Sequence, residues 1–273
     1  MALPTFTDDA LASPVEVRND ATMDAKKFSA IAHRDHDYCN PVSAAKIERL
    51  LDMLPLDATS RVLDLGCGRA ELCLRIIERF GSMAVAIDNS SPMLDAARER
   101  AEWTGALGRL HLDNVDIADF EADPETFHLS VMLGAGGIDG GMAGICRKLR
   151  TWTKSGGYVL IGEGYWRRRP HPKYLAFLGG DAHYLDHAGN VKAGVDAGLV
   201  PMHATTASED EWDEYEWKYL RSIERYAREQ PDDPEVPAML DRVRRWRDAY
   251  LRWGRDSLGF ATYLFYRPGQ YVG

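Results

Sequence analysis

Val62-Leu63-Asp64-Leu65-Gly66-Cys67-Gly68-Arg69-Ala70-Glu71 decides the reading of this chain. An apolar strand ends in Asp64, turns through two glycines and enters a helix that continues Leu72-Cys73-Leu74-Arg75-Ile76-Ile77. Glycines at such a turn let the backbone come close to a ligand, and the helix start offers unpaired N–H groups. A dinucleotide fingerprint needs Gly at the first, third and sixth positions. Here the sixth position is Glu71, and an acid stands two residues before the first Gly. That acid repels a pyrophosphate but accepts hydrogen bonds from an ammonium group. The turn therefore suits a zwitterionic amino-acid moiety next to a nucleoside.

The following segments fall at the spacing of a doubly wound sheet. Ala84-Val85-Ala86-Ile87-Asp88 reads as a second buried strand ending in an acid, 22 residues beyond Gly66. That is near the separation of about 20 at which a second-strand carboxylate meets ribose hydroxyls. In Asn89-Ser90-Ser91-Pro92-Met93-Leu94, Ser90 or Ser91 is expected to cap a helix with Pro92 in its first turn. A third strand, Leu110-His111-Leu112, runs into Asn114-Val115-Asp116-Ile117-Ala118. A fourth, Phe127 to Leu133, ends at Gly134-Ala135-Gly136-Gly137, and ligands sit at such carboxyl ends. A fifth follows Ser155-Gly156-Gly157 as Tyr158 to Glu163, a sixth lies within 196–206, and a seventh spans Gly259 to Tyr266. Alternating strands and helices imply an α/β fold with helices on both faces of a parallel sheet.

Asp-Leu-Gly-Cys-Gly after an apolar strand resembles the first motif of class I S-adenosylmethionine-dependent methyltransferases, with Ala70 where the family often has Gly. The resemblance implies a Rossmann-like seven-stranded sheet whose last strand enters antiparallel between the fifth and sixth. It implies S-adenosyl-L-methionine as cofactor and S-adenosyl-L-homocysteine as product. Asp64, Gly66, Cys67 and Gly68 match the family's positions at the methionine end, and Asp88 with Asn89 those at the ribose. Met93, Asp116 and Ile117 match those at the adenine, while Leu133 and Gly134 flank the reacting methyl. From about residue 25 onward the chain is similar to a bacterial small-molecule-type group of unassigned substrate. The expected activity is methyl transfer to a small molecule by in-line displacement under a lid, at an N, O or C nucleophile. The alternative is a non-catalytic cofactor-binding protein that engages a partner through its lid helices.

Around the core of 59–207 and 257–273, residues 1–24 read as a flexible arm and 25–58 as a helical cover. Two insertions are expected on the substrate side, 164–188 and a lid at 208–256. The lid's first half sets Trp212, Tyr215, Tyr219, Ile223 and Tyr226 at helical spacing. Its second half does the same with Met239, Val243, Trp246, Tyr250 and Trp253. An acidic run, Glu209 to Glu216, faces a basic one that includes Arg242, Arg244 and Arg255. An antiparallel hairpin would let the aromatic faces meet the core. Methyl transfer needs alignment more than acid–base machinery, and a base only where the acceptor must lose a proton early. Candidates for that base are Glu163, Tyr165, His183, Tyr184 and, from the cover, His36.

The net charge of −9 argues against a nucleic-acid partner, and no Asn/Asp-Pro-Pro-aromatic element follows the fourth strand. No run approaches 18 apolar residues, so no membrane span is expected. The N-terminus lacks the basic and apolar parts of a signal peptide. Cys39, Cys67, Cys73 and Cys146 show no CxxC pairing, so reduced thiols and a cytoplasmic setting are expected. His33 and His36 lack a Cys or carboxylate at ligand spacing, and no metal is expected.

Overall fold

The structure is a computed structural model that describes residues 23–179 and 184–269. Most of the expected arm, and the candidate His183, lie outside the described residues. The sheet comprises β1 (Arg61–Leu65), β2 (Met83–Asp88), β3 (Leu110–Asn114), β4 (Phe127–Leu133), β5 (Thr153–Trp166), β6 (Val200–Thr206) and β7 (Leu258–Tyr266). Their spatial order is β3-β2-β1-β4-β5-β7-β6. β7 runs antiparallel to both β5 and β6, whereas the β1, β2, β3, β4 and β5 pairings are parallel. The order reverses between β1 and β4, which opens a crevice at their carboxyl ends.

One face carries α2 (Ala44–Leu51), α3 (Glu71–Phe80) and α4 (Ser91–Thr104), packing Ile47, Leu50, Leu51 and Ile76 against Val62, Ala84 and Val131. The other carries α5 (Gly141–Trp152) and, after the short α6 (Pro172–Phe177), α7 (His187–Asp196); Ile145, Leu149, Trp152 and Ala193 of α5 and α7 pack on Leu63, Ile161 and Phe265. Each large side chain buried this fully stabilises by roughly 1.5–3 kcal/mol. A third cluster joins α1 (Ala25–Ala32), α8 (Glu209–Glu229) and α9 (Val236–Ala249) through Phe28, Ile223, Met239 and Val243. The cover and the hairpin therefore form one apolar unit above the sheet.

Local chemistry sets the ends of these helices. Asp24 caps α1 by accepting from the Lys26 and Lys27 amides, and Ser208 with Glu211 forms a reciprocal capping box on α8. α8 and α9 are tied by Arg244 to Glu224, and Arg255 beyond α9 reaches Asp213. Two expectations need correction. β5 begins at Thr153 rather than after Gly157, and it runs through Gly164 to Trp166. A register shift opposite Phe127 and Leu129 lets the strand carry its glycines. Ser90 occupies the α4 cap position, but its hydroxyl makes no capping bond.

Candidate active site

The bend after β1 is held by β2. The Gly66 and Cys67 amides both donate to the Ile87 carbonyl, at 2.8 and 3.0 Å. The Gly68 amide donates to Asp88 Oδ2 at 2.9 Å, and the Ser90 amide donates to Oδ1 at 2.9 Å. Gly66 has φ 69°, and a Cβ there would lie 2.3 Å from the Ala135 Cβ, so only glycine fits against the loop after β4. Ala70 also sits in the left-handed region, at φ 55°, where an L residue is strained by about 1–2 kcal/mol. Its departure from glycine thus bears on the backbone and not only on packing.

Asp64 lies under the bend, 4 % exposed, with the Cys73 thiol donating to it at 3.5 Å. Burial pushes its carboxyl up to about 7. Two strands over, the Asn89 side-chain amide donates to Asp116 at 2.7 Å, and the Ala118 amide reaches the other carboxylate oxygen. These bonds hold Asp116 below the usual carboxylate range. Met93 and Ile117 are buried beside them. Lys26 of α1 donates to the Asn89 carbonyl at 2.6 Å, which brings the cover over this edge.

The segment after α1 closes on the bend. Arg69 donates to the carbonyls of Arg34 and His36, at 2.8 and 3.3 Å. A Cβ on Gly68 would touch the Cys39 sulfur at 3.3 Å. His33 Nδ1 donates to the Ser29 carbonyl, so its Nε2 accepts from the Tyr215 hydroxyl of α8 at 3.0 Å. Burial lowers His33 to about 4. His36 Nε2 donates to the Tyr215 carbonyl at 2.9 Å, and burial lowers its pKa as well.

Where β4 ends against β5, two glycines let an aromatic ring pack directly on the backbone. Leu133 pairs with Gly162, and Gly134 follows at φ 79° with its amide on the Gly162 carbonyl. The Phe260 ring lies over both glycines, 2.8 Å from where a Gly162 Cβ would stand. Trp212 of α8 meets that ring edge-on at 6.4 Å. Trp212 also donates to Glu216 Oε1 at 3.2 Å, while Trp246 of α9 donates to Oε2 at 2.8 Å. Burial raises the Glu216 carboxyl to about 7.

Residues 62–157 match the family described as a methyltransferase domain. The chain is 30% identical to the solved structure of YjhP from E. coli, covering 88% of this chain and 98% of that one, with a TM-score of 0.77. YjhP is itself named an uncharacterized protein. A SAM-dependent methyltransferase from Geobacter sulfurreducens, solved with S-adenosyl-L-homocysteine, is 26% identical over 88% of this chain and 97% of its own, at a TM-score of 0.79. The trans-aconitate 2-methyltransferase of Paracidovorax citrulli is 30% identical over 53% of this chain and 54% of its own.

The chain belongs to the class I S-adenosylmethionine-dependent methyltransferases.

Within this methyltransferase the residues expected at the cofactor, from Asp64 through Gly134, lie at or just past the carboxyl ends of β1, β2, β3 and β4, with Met93 in the first turn of α4. The expected bases do not assemble. Glu163 accepts from the Gly164 amide, and burial raises its carboxyl. Tyr184 packs over Gly164, and its hydroxyl pKa is raised by burial and by Glu163 nearby. Tyr165 shares the Glu163 side of β5, away from Gly164 and Tyr184, and packs against Gly259 and His187. His36 stands apart in the cover. Sequence reasoning missed Arg69, Phe260 and Glu216, and also Asn40, whose Cβ lies 3.8 Å from where a Gly134 Cβ would stand. Only Phe260 carried a local signal, as the bulky residue directly after Gly259.

Proposed function

We propose that this methyltransferase transfers a methyl group to a small-molecule acceptor by in-line displacement, beneath a lid made of the cover and α8–α9. The observation that carries this is the glycine bend tied to Asp88, beside the β4 terminus where the Phe260 ring packs on Gly134 and Gly162 and meets Trp212. The donor set fits the cofactor. Asp64 is a buried carboxyl with no cation beside it among the described residues, and Asp88 keeps acceptor capacity beyond its two amides. Asp64, Gly66, Cys67 and Gly68 would hold its methionine end, Asp88 and Asn89 its ribose, and Met93, Asp116 and Ile117 its adenine. When bound, the cofactor supplies an activated sulfonium methyl.

The chain's own residues then orient and exclude water. Leu133, Gly134 and Phe260 shape the approach to the methyl, and alignment of this kind is worth up to about 7–11 kcal/mol. Where the acceptor must shed a proton, Glu163 is the candidate base, one residue past Gly162 in β5, with its carboxyl pKa raised by burial. Incubation with methyl-labelled cofactor and a panel of amines, phenols and thiols tests the reading, with labelled product expected from at least one class. Tight S-adenosyl-L-homocysteine binding with no turnover across the panel would overturn it in favour of a binding protein.

A further inference from the structure

We propose that the cavity between the cover and α8 binds the ammonium group of a cationic small-molecule acceptor, which rests on the methyl-transfer reading above. The cavity measures about 340 Å³, with 36–44 on one side and Asp210 to Lys218 on the other. That is the size range of small-molecule sites. Four carboxylates, Asp37, Asp210, Glu211 and Glu214, line it against one ammonium, Lys218. Glu211 pairs with Lys46, and Glu214 lies 3.5 Å from Lys218. Asp37 and Asp210 have no ion-pair partner among the described residues.

Carboxylates alone would make only a solvated face. The second observation is His36, which lines the cavity and is 4 % exposed. Its Nε2 faces the Tyr215 carbonyl, an acceptor only, so Nε2 carries the hydrogen and Nδ1 holds a lone pair. Nδ1 meets no donor. The hydroxyl of Tyr38, on a buried ring of the same cavity, is also unpartnered. Buried polar atoms of this kind are rarely left unsatisfied. An ammonium N–H supplies what Nδ1 lacks, its charge matches the carboxylates, and the Tyr38 and Tyr215 rings add π faces. An anion would meet repulsion and an unshared lone pair. The cavity also adjoins the transfer site, because Asn40 lines it and the Asn40 Cβ lies 3.8 Å from where a Gly134 Cβ would stand.

Calorimetric titration of protein saturated with S-adenosyl-L-homocysteine tests this. The probes are tyramine, phenethylamine, N-methylbenzylamine and choline, each matched with a neutral alcohol and a carboxylate analogue. At least one amine should bind tenfold or more tightly than both of its analogues. The exposed double variant Asp37→Asn/Asp210→Asn should weaken that amine by roughly fivefold, and His36→Gln should weaken it further, while homocysteine-product affinity stays unchanged. Equal or tighter binding of the alcohols or carboxylates, or no amine binding at all, would overturn the proposal alone. Failure of S-adenosyl-L-homocysteine to bind would instead sink the cofactor reading, and this inference with it.

Discussion

Replacing Asp88 by Ala should separate two roles of one carboxylate. In the free protein its oxygens take the amides of Gly68 and Ser90, both at 2.9 Å and both on buried residues. Removing the acceptor strands two N–H groups, each costing about 1–3 kcal/mol when water cannot replace it. The bend can relax slightly, so a loss of about 2–4 kcal/mol in unfolding free energy is expected, read by urea denaturation without ligand. The second role is the assigned grip on the ribose. Two charge-assisted bonds at about 1.5 kcal/mol each amount to ~3 kcal/mol. That is roughly a hundredfold in Kd for S-adenosyl-L-homocysteine by calorimetry. A variant that unfolds earlier yet binds the product with unchanged Kd would refute the ribose assignment and leave Asp88 as a strut of the bend.

Three further outcomes follow from the same geometry. Burial holds the Asp64 carboxyl at about 7 against an ordinary 3.8, so the folded free chain disfavours its ionised form. Relative to Asp64→Asn, the free protein should lose stability as pH rises from about 4 to about 7. Affinity for the ammonium-bearing product should climb by up to about tenfold per unit below 7 and then level off. A flat calorimetric profile would contradict this. Gly66→Ala combines a left-handed backbone, at about 1–2 kcal/mol, with a collision at Ala135 worth about 1–3 kcal/mol. Denaturation should therefore show a loss of about 2–5 kcal/mol, together with loss of product binding. Glu216→Ala leaves one buried and one half-buried indole N–H unpaired and should destabilise by about 2–4 kcal/mol, followed by tryptophan fluorescence in urea, whereas Glu216→Gln should retain part of the clasp.

The sheet was legible because its strands announce themselves locally. Val62 to Leu65 and Phe127 to Leu133 are apolar runs bounded by turn residues, and the acids of the site stand at or just past strand ends. β5 was read too short because Ser155-Gly156-Gly157 looks like a turn. What keeps it in the sheet is non-local, including the Gly156 amide on the Arg267 carbonyl. The apolar stripes of α8 and α9 were legible by their spacing, yet Glu216 was hidden in the first of them. A charged residue four positions after Trp212 is unremarkable until Trp246, 30 residues further on, brings a second indole to it. A hydroxyl cap on α4 from Ser90 or Ser91 is the natural expectation, but Pro92 has no N–H to donate and the Met93 amide donates to the Ser90 carbonyl instead. The cover's grip was invisible for the same reason, since Arg69 reaches back more than 30 residues to backbone carbonyls that carry no side-chain signature.

The stretch from His33 to Asn40 has consequences for timing. Cys39 and Asn40 press on the glycine bend and the β4 terminus, while His36 and Tyr38 border the neighbouring chamber. Two compartments thus share a single partition, pinned by Arg69 on one side and by Tyr215 on the other. On the proposed assignments, a displacement that frees the occupant of one would also unseal the other, coupling filling and emptying through a partition eight residues long.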